Sequence, residues 1–72
     1  MSISHELSFK LNSPSDKIDG YQLVYSNGTT TMREEGLNVD QLNLNLSGNV
    51  PGVYLLHVTG QRDKYVVKFI KK

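Results

Sequence analysis

Two histidines, three consecutive threonines, one adjacent pair of carboxylates and a lysine-rich end are the side chains through which this chain could do chemistry. His5 and His57 are metal-ligand types, but they lie 52 residues apart in sequence. Neither cysteines nor clustered acids complete a coordination set around them. His57 falls between Leu56 and Val58, on the strand face opposite Tyr54, and reads as an ordinary, partly exposed strand histidine. Thr29, Thr30 and Thr31 carry hydroxyls without a patterned base and orienting acid, which a nucleophile needs. Threonines that follow a turn are good strand formers. Glu34 and Glu35 are the residue types of an acid–base pair. Adjacent strand positions point to opposite faces, however, so this spacing alone does not set them about one bond. No catalytic, cofactor-binding or metal-ligating set emerges, and the chain reads as a non-enzyme with no cofactor.

Lys64, Lys68, Lys71 and Lys72 make the end of the chain basic. Charge on a strand protects a sheet edge from wrong pairing. The same lysines could equally form a basic terminus recognised by a partner, and composition does not choose between the two. The aromatics Phe9, Tyr21, Tyr25, Tyr54, Tyr65 and Phe69 could build a stacking platform for sugars or bases. They alternate with aliphatic residues, which favours a core role.

These residues sit in a chain of 72 with formal net charge +1, 38% hydrophobic and 21% charged, and without cysteine. One small domain is expected, burying about 60% of the surface its unfolded chain exposes. Disulfides and thiolate metal sites are excluded. The charge is too small to argue for nucleic acid or a membrane surface. No apolar run is long enough to span a bilayer. Met1 to His5 has neither the basic nor the apolar region of a secretory signal peptide. Residues 1–5 read as an added start or a truncated linker, and any N-terminal export signal would lie upstream in a larger parent protein.

Period-2 alternation dominates the pattern. Leu7, Phe9 and Leu11 mark a first strand, ended by the turn cluster Asn12 to Asp16. Ile18 to Ser26 follows, with Tyr21, Leu23 and Tyr25 on one face and Gly20 marking a bulge. Asn27-Gly28 is a hairpin signal, because both types tolerate the positive φ of a tight turn. Thr29 to Glu34 is the return strand. Leu42, Leu44 and Leu46 alternate with polar residues, and Ser47 to Asn49 breaks that strand. Pro51-Gly52 suits the centre of a type II turn. Val53 to Thr59 carries Tyr54, Leu56 and Val58 on one face. Gly60 to Asp63 turns, and Tyr65 to Lys71 closes the domain. The spacing predicts an all-β fold: a small antiparallel β-sandwich or barrel of about six or seven short strands with a core of about a dozen large side chains. Exposed sheet edges make a dimer by edge-strand pairing possible.

The run from Leu44 through Pro51-Gly52-Val53-Tyr54 to Val58, then Tyr65 to Lys72, resembles the type A C-terminal sorting domain of the type IX secretion system. Tyr21 to Gly28 and Leu7 to Leu11 are similar to earlier strands of that family. The resemblance covers residues 6–72. Met1 to His5 stands where the family carries an Asn-Pro segment, so no cleavage site is assigned.

The resemblance implies an immunoglobulin-like sandwich and a non-catalytic secretion signal at the end of a cargo protein. Its partners would be the type IX outer-membrane translocon, a sortase-like peptidase and the upstream cargo domain. Its destination would be the cell surface or medium of a Gram-negative bacterium, by way of the periplasm and outer membrane. Carried onto these residues, Asn27, Gly28, Pro51, Gly52, Val53 and Tyr54 would be structural, with Tyr54 beneath the Pro51-Gly52 turn. Lys68, Lys71 and Lys72 would be the surface recognised by the translocon. An accessory or adhesion module binding glycan or protein is the alternative, because this fold hosts many functions.

Overall fold

The computed structural model describes residues 2–3 and 5–72, with side-chain surroundings from His5 onward. The alternating stretches become seven strands: β1 (Ser2–Ile3), β2 (Glu6–Lys10), β3 (Ile18–Tyr25), β4 (Thr30–Glu34), β5 (Gln41–Asn45), β6 (Gly52–Gly60) and β7 (Lys64–Lys71). No helix occurs among the described residues. One sheet runs β1-β7-β6-β3-β4, and β2 with β5 forms the other. The pairings are antiparallel except for β1, which lies parallel to β7. The expected all-β class and strand number therefore hold, in the form of a small β-sandwich.

Each strand's alternation sets which face is buried. On the larger sheet, Leu23 of β3 lies opposite Leu56 of β6, and both are fully buried. Burying each contributes about 1.5–3 kcal/mol. Tyr54, Val58 and Phe69 extend that inner face. Leu7, Leu42 and Leu44 face it from the smaller sheet, with Leu11 and Leu46 flanking at the strand ends. Tyr25, Tyr54 and Phe69 are neighbours across β3, β6 and β7. Their rings form a row, Tyr25 tilted on Tyr54 at 5.0 Å and Tyr54 stacked on Phe69 at 5.6 Å.

The bulge expected at Gly20 is present: the β3–β6 register shifts between Ile18 and Gly20. The extra residue lets Ile18 and Tyr21 share the buried face although they are an odd number of residues apart. A Cβ on Gly20 would come within 2.6 Å of the Glu34 carbonyl oxygen, so β4 approaches closely enough to require glycine.

Two turns differ from expectation. At Asn27-Gly28 only Gly28 has positive φ (89°), so the turn is not the two-residue type with both residues left-handed. The Gly28 N–H donates to the Tyr25 carbonyl at 2.9 Å and the Tyr25 N–H to the Thr29 carbonyl at 2.8 Å, giving a three-residue loop. Asn27 acts through its side chain, whose Oδ1 accepts from the Thr29 N–H at 2.9 Å.

At Pro51-Gly52, Gly52 has φ 147°, far from the roughly +80° of a type II turn. The hydrogen-bonded turn lies earlier, where the Asn49 N–H donates to the Leu46 carbonyl at 2.9 Å. Pro51-Gly52 is instead the bend at which β6 begins, held by tyrosines. Tyr25 Oη donates to the Pro51 carbonyl at 3.2 Å, and Tyr54 Oη donates to the Val50 carbonyl. Tyr54 thus packs beneath this bend.

Candidate functional site

Of the residue types with catalytic potential, Glu34, Glu35 and His57 line one groove, whereas His5 and Thr29 to Thr31 do not. His5 and His57 are both exposed. Thr29, Thr30 and Thr31 are exposed, and the Thr30 hydroxyl accepts from the Gln22 side-chain amide at 2.7 Å. Glu34 and Glu35 turn to different partners. Glu34 accepts from the Tyr21 hydroxyl at 3.2 Å, and Glu35 pairs with Arg33 at 2.5 Å. Burial, reinforced by the charge of Glu34, pushes the Tyr21 hydroxyl pKa up.

Gln22, Arg33, Glu35, His57 and Thr59 line an open groove of about 340 Å³ beside the end of β4. Its cation and one of its carboxylates already neutralise each other. Among the described residues no group of three or more His, Cys, Asp or Glu is placed to hold a metal ion. All six aromatic rings are buried or half-buried, so none forms an open stacking platform.

A buried carboxylate that the sequence does not announce organises one end of the sandwich. Asp16, 2% exposed, accepts the Tyr65 hydroxyl at 2.7 Å and the backbone N–H groups of Lys17, Arg62 and Asp63 at 2.8, 3.0 and 3.3 Å. It ties the β2–β3 loop to the turn between β6 and β7. The Tyr65 hydrogen bond, helped by the three backbone donors and opposed by burial, holds the Asp16 carboxyl below its ordinary value. The same bond, with burial, pushes the Tyr65 hydroxyl up to about 12. This is a structural clasp: both carboxylate oxygens are occupied by these donors. The turn cluster around Pro14 is its sole trace in the sequence, because most of its partners are distant in the chain.

The last strand separates the candidate recognition lysines. Lys68 is exposed on the outer face of β7, and Lys72 is exposed just beyond it. Lys71 is 7% exposed and follows Phe69, itself 1% exposed, by two positions, so it shares the inward side. Its ammonium donates to the Lys72 carbonyl at 3.4 Å while its aliphatic stem lies against the domain. The expectation of one exposed surface made by Lys68, Lys71 and Lys72 is therefore corrected: Lys71 is part of the packing. The alternation that buries Phe69 was the signal that could have shown this.

Around Lys68 the outer face is unexpectedly apolar. Val66 is 60% exposed, Ile70 48% and Leu55 36%. Lys68 lies opposite Leu55, and Ile70 opposite Val53. Val24, half-buried, continues the row beyond Leu55. The surface that β7 presents thus carries Lys64 and Lys68 among aliphatic side chains, followed by the exposed Lys72 just beyond the strand. No helix among the described residues is long and apolar enough to cross a membrane. No protein-family model, curated protein or solved structure matches this chain.

Proposed function

We propose that this domain is a non-catalytic C-terminal secretion signal that directs an upstream cargo protein through the type IX outer-membrane translocon to the cell surface or medium. The observation that carries the reading is the tail. The final strand β7 presents Lys68 within an exposed aliphatic surface, and Lys72 stands exposed at its end. Exposed aliphatic side chains grouped on one face offer apolar surface that a partner can bury. The motif order of the resemblance supports the reading, as does a two-layer β architecture of the kind an immunoglobulin-like sorting domain would have.

In this reading the domain works by being bound. Phe69 and Lys71 anchor β7, while Lys68, Lys72 and the aliphatic side chains around Lys68 are what the machinery contacts. A sortase-like peptidase would act in the segment joining cargo to domain. The adhesion-module alternative draws on the groove at Gln22, Arg33 and His57, but that groove offers a glycan no open aromatic ring.

The test is a reporter carrying an N-terminal export signal, fused ahead of residue 1 and produced in a bacterium with the type IX machinery. The fusion is expected at the surface or in the medium, while the reporter alone stays in the periplasm. Equal periplasmic retention of both would overturn the proposal.

A further inference from the structure

Among the described residues, one edge of β7 is paired only near its end. β1 pairs there in parallel, with Ser2 opposite Ile70 and Ile3 opposite Lys71. From Lys64 to Lys68 no described strand pairs with that side of β7. An open edge offers backbone donors and acceptors that template another strand. Its neighbour β1 shows that this side of β7 accepts one.

The side chains beside the open edge specify what kind of strand. Lys64, Val66 and Lys68 alternate on the outer face, and all three are exposed. Neither lysine joins an ion pair among the described residues. A strand added here sets its own alternate side chains about 5 Å from Lys64, Val66 and Lys68. The complementary order is acidic, apolar, acidic. Val66, Leu55 and Ile70 supply apolar surface alongside.

We infer that the open edge of β7 from Lys64 to Lys68 is a strand-addition site for an extended peptide of a partner protein that alternates acidic and apolar residues.

A second copy of this chain fits the edge poorly. An antiparallel pairing confined to Lys64–Lys68, clear of β1, is centred on Val66 and sets Lys64 of each copy opposite Lys68 of the other. Like charges directly opposite are unfavourable. Moving the centre toward Phe69 runs the partner strand into β1 at Ile70. The lysines thus disfavour self-pairing while remaining open to an acidic strand. This inference deepens the recognition reading and rests on it only in taking the tail to be bound by another protein. Its test needs no secretion machinery, so the two fail separately.

The probe is a short peptide, capped at both ends, with glutamate, valine and glutamate at alternate positions and threonines between them. It is titrated into the isotope-labelled domain and followed by amide chemical shifts and hydrogen exchange. Shifts and slowed exchange are expected at Lys64–Lys68, with the β4 edge unaffected. A version with lysines in place of the glutamates should bind more weakly, and one with proline for the central valine should lose the effect. Lys68→Glu should weaken binding of the acidic peptide by about two- to fivefold and strengthen binding of the lysine version. No shift at millimolar peptide, equal response to both charge versions, or shifts centred on β4 would each overturn the inference. So would sedimentation of the free domain as a dimer that Lys68→Glu abolishes.

Discussion

Gly52→Ala tests how the start of β6 is built. Gly52 has φ 147°, a region that residues with a side chain rarely adopt, and forcing one there costs about 1–3 kcal/mol. The added Cβ would also lie 2.6 Å from Tyr25 Oη and 2.7 Å from its Cε1, so the ring must move. Moving it strains the Tyr25 hydrogen bond to the Pro51 carbonyl, a loss of about 0.5–1.5 kcal/mol. It also disturbs the ring pair with Tyr54, a loss of similar size. With partial relaxation the sum is about 2–4 kcal/mol. A 72-residue domain is stable by only about 4–11 kcal/mol. Urea unfolding followed by circular dichroism should therefore show the midpoint fall by about 2 M or more, taking an m-value near 1 kcal/mol/M. Gly48→Ala is the control. Gly48 has no positive φ and no atom within 4 Å of an added Cβ, so the change should be neutral or stabilise by up to about 1 kcal/mol. A Gly52→Ala midpoint equal to that of Gly48→Ala would refute the reasoning.

The Asp16–Tyr65 clasp sets two pH limits. Asp16 has a folded value below its ordinary 3.8, so its contribution is complete above that value and is lost as pH falls through the lower folded value. Tyr65 is raised from 10.0 to about 12, so its contribution is complete below pH 10 and is lost as pH rises toward about 12. Tyr65→Phe should lower stability at neutral pH and flatten its decline between about pH 10 and 12, as measured by urea midpoints across pH. Phe69→Ala should cost about 3–5 kcal/mol and sharply lower the thermal midpoint, since Phe69 is 1% exposed and stacked on Tyr54. Deleting Phe69 to Lys72 would then confound loss of signal with loss of fold. Val66→Ser, at a 60% exposed site, should stay within about 0.5 kcal/mol of the parent by the same urea assay.

Local alternation made much of this fold legible. Leu42, Leu44 and Leu46 on one side, and Tyr54, Leu56 and Val58 on the other, declare their buried faces without reference to the rest of the chain. Gly20 announced its bulge because a lone glycine in a strand pattern has few other reasons to be there. What stayed hidden depends on partners distant in sequence. Asp16 meets Arg62, Asp63 and Tyr65 only after β6 and β7 have docked. The parallel contact of β1 with β7 joins the two ends of the chain, and no local pattern encodes it. Gly52 departs from the turn that a Pro-Gly pair signals by default, because here the Tyr25 ring occupies the space a Cβ would need. At the candidate site, the basic end was visible as composition. Its division into an outward Lys68 and an inward Lys71 follows from period-2 geometry once Phe69 is recognised as core.

The central claim is that the exposed face of β7 and the residue after it are what the export machinery contacts. The direct measurement is the surface-to-periplasm ratio of a reporter fused to the domain carrying Lys68→Ala and Lys72→Ala, with the purified variant first shown to unfold at the parent's urea concentration. Both lysines are exposed, so the fold should survive. The folded variant is expected to accumulate in the periplasm while the parent fusion reaches the surface. Undiminished export of the folded variant would contradict it.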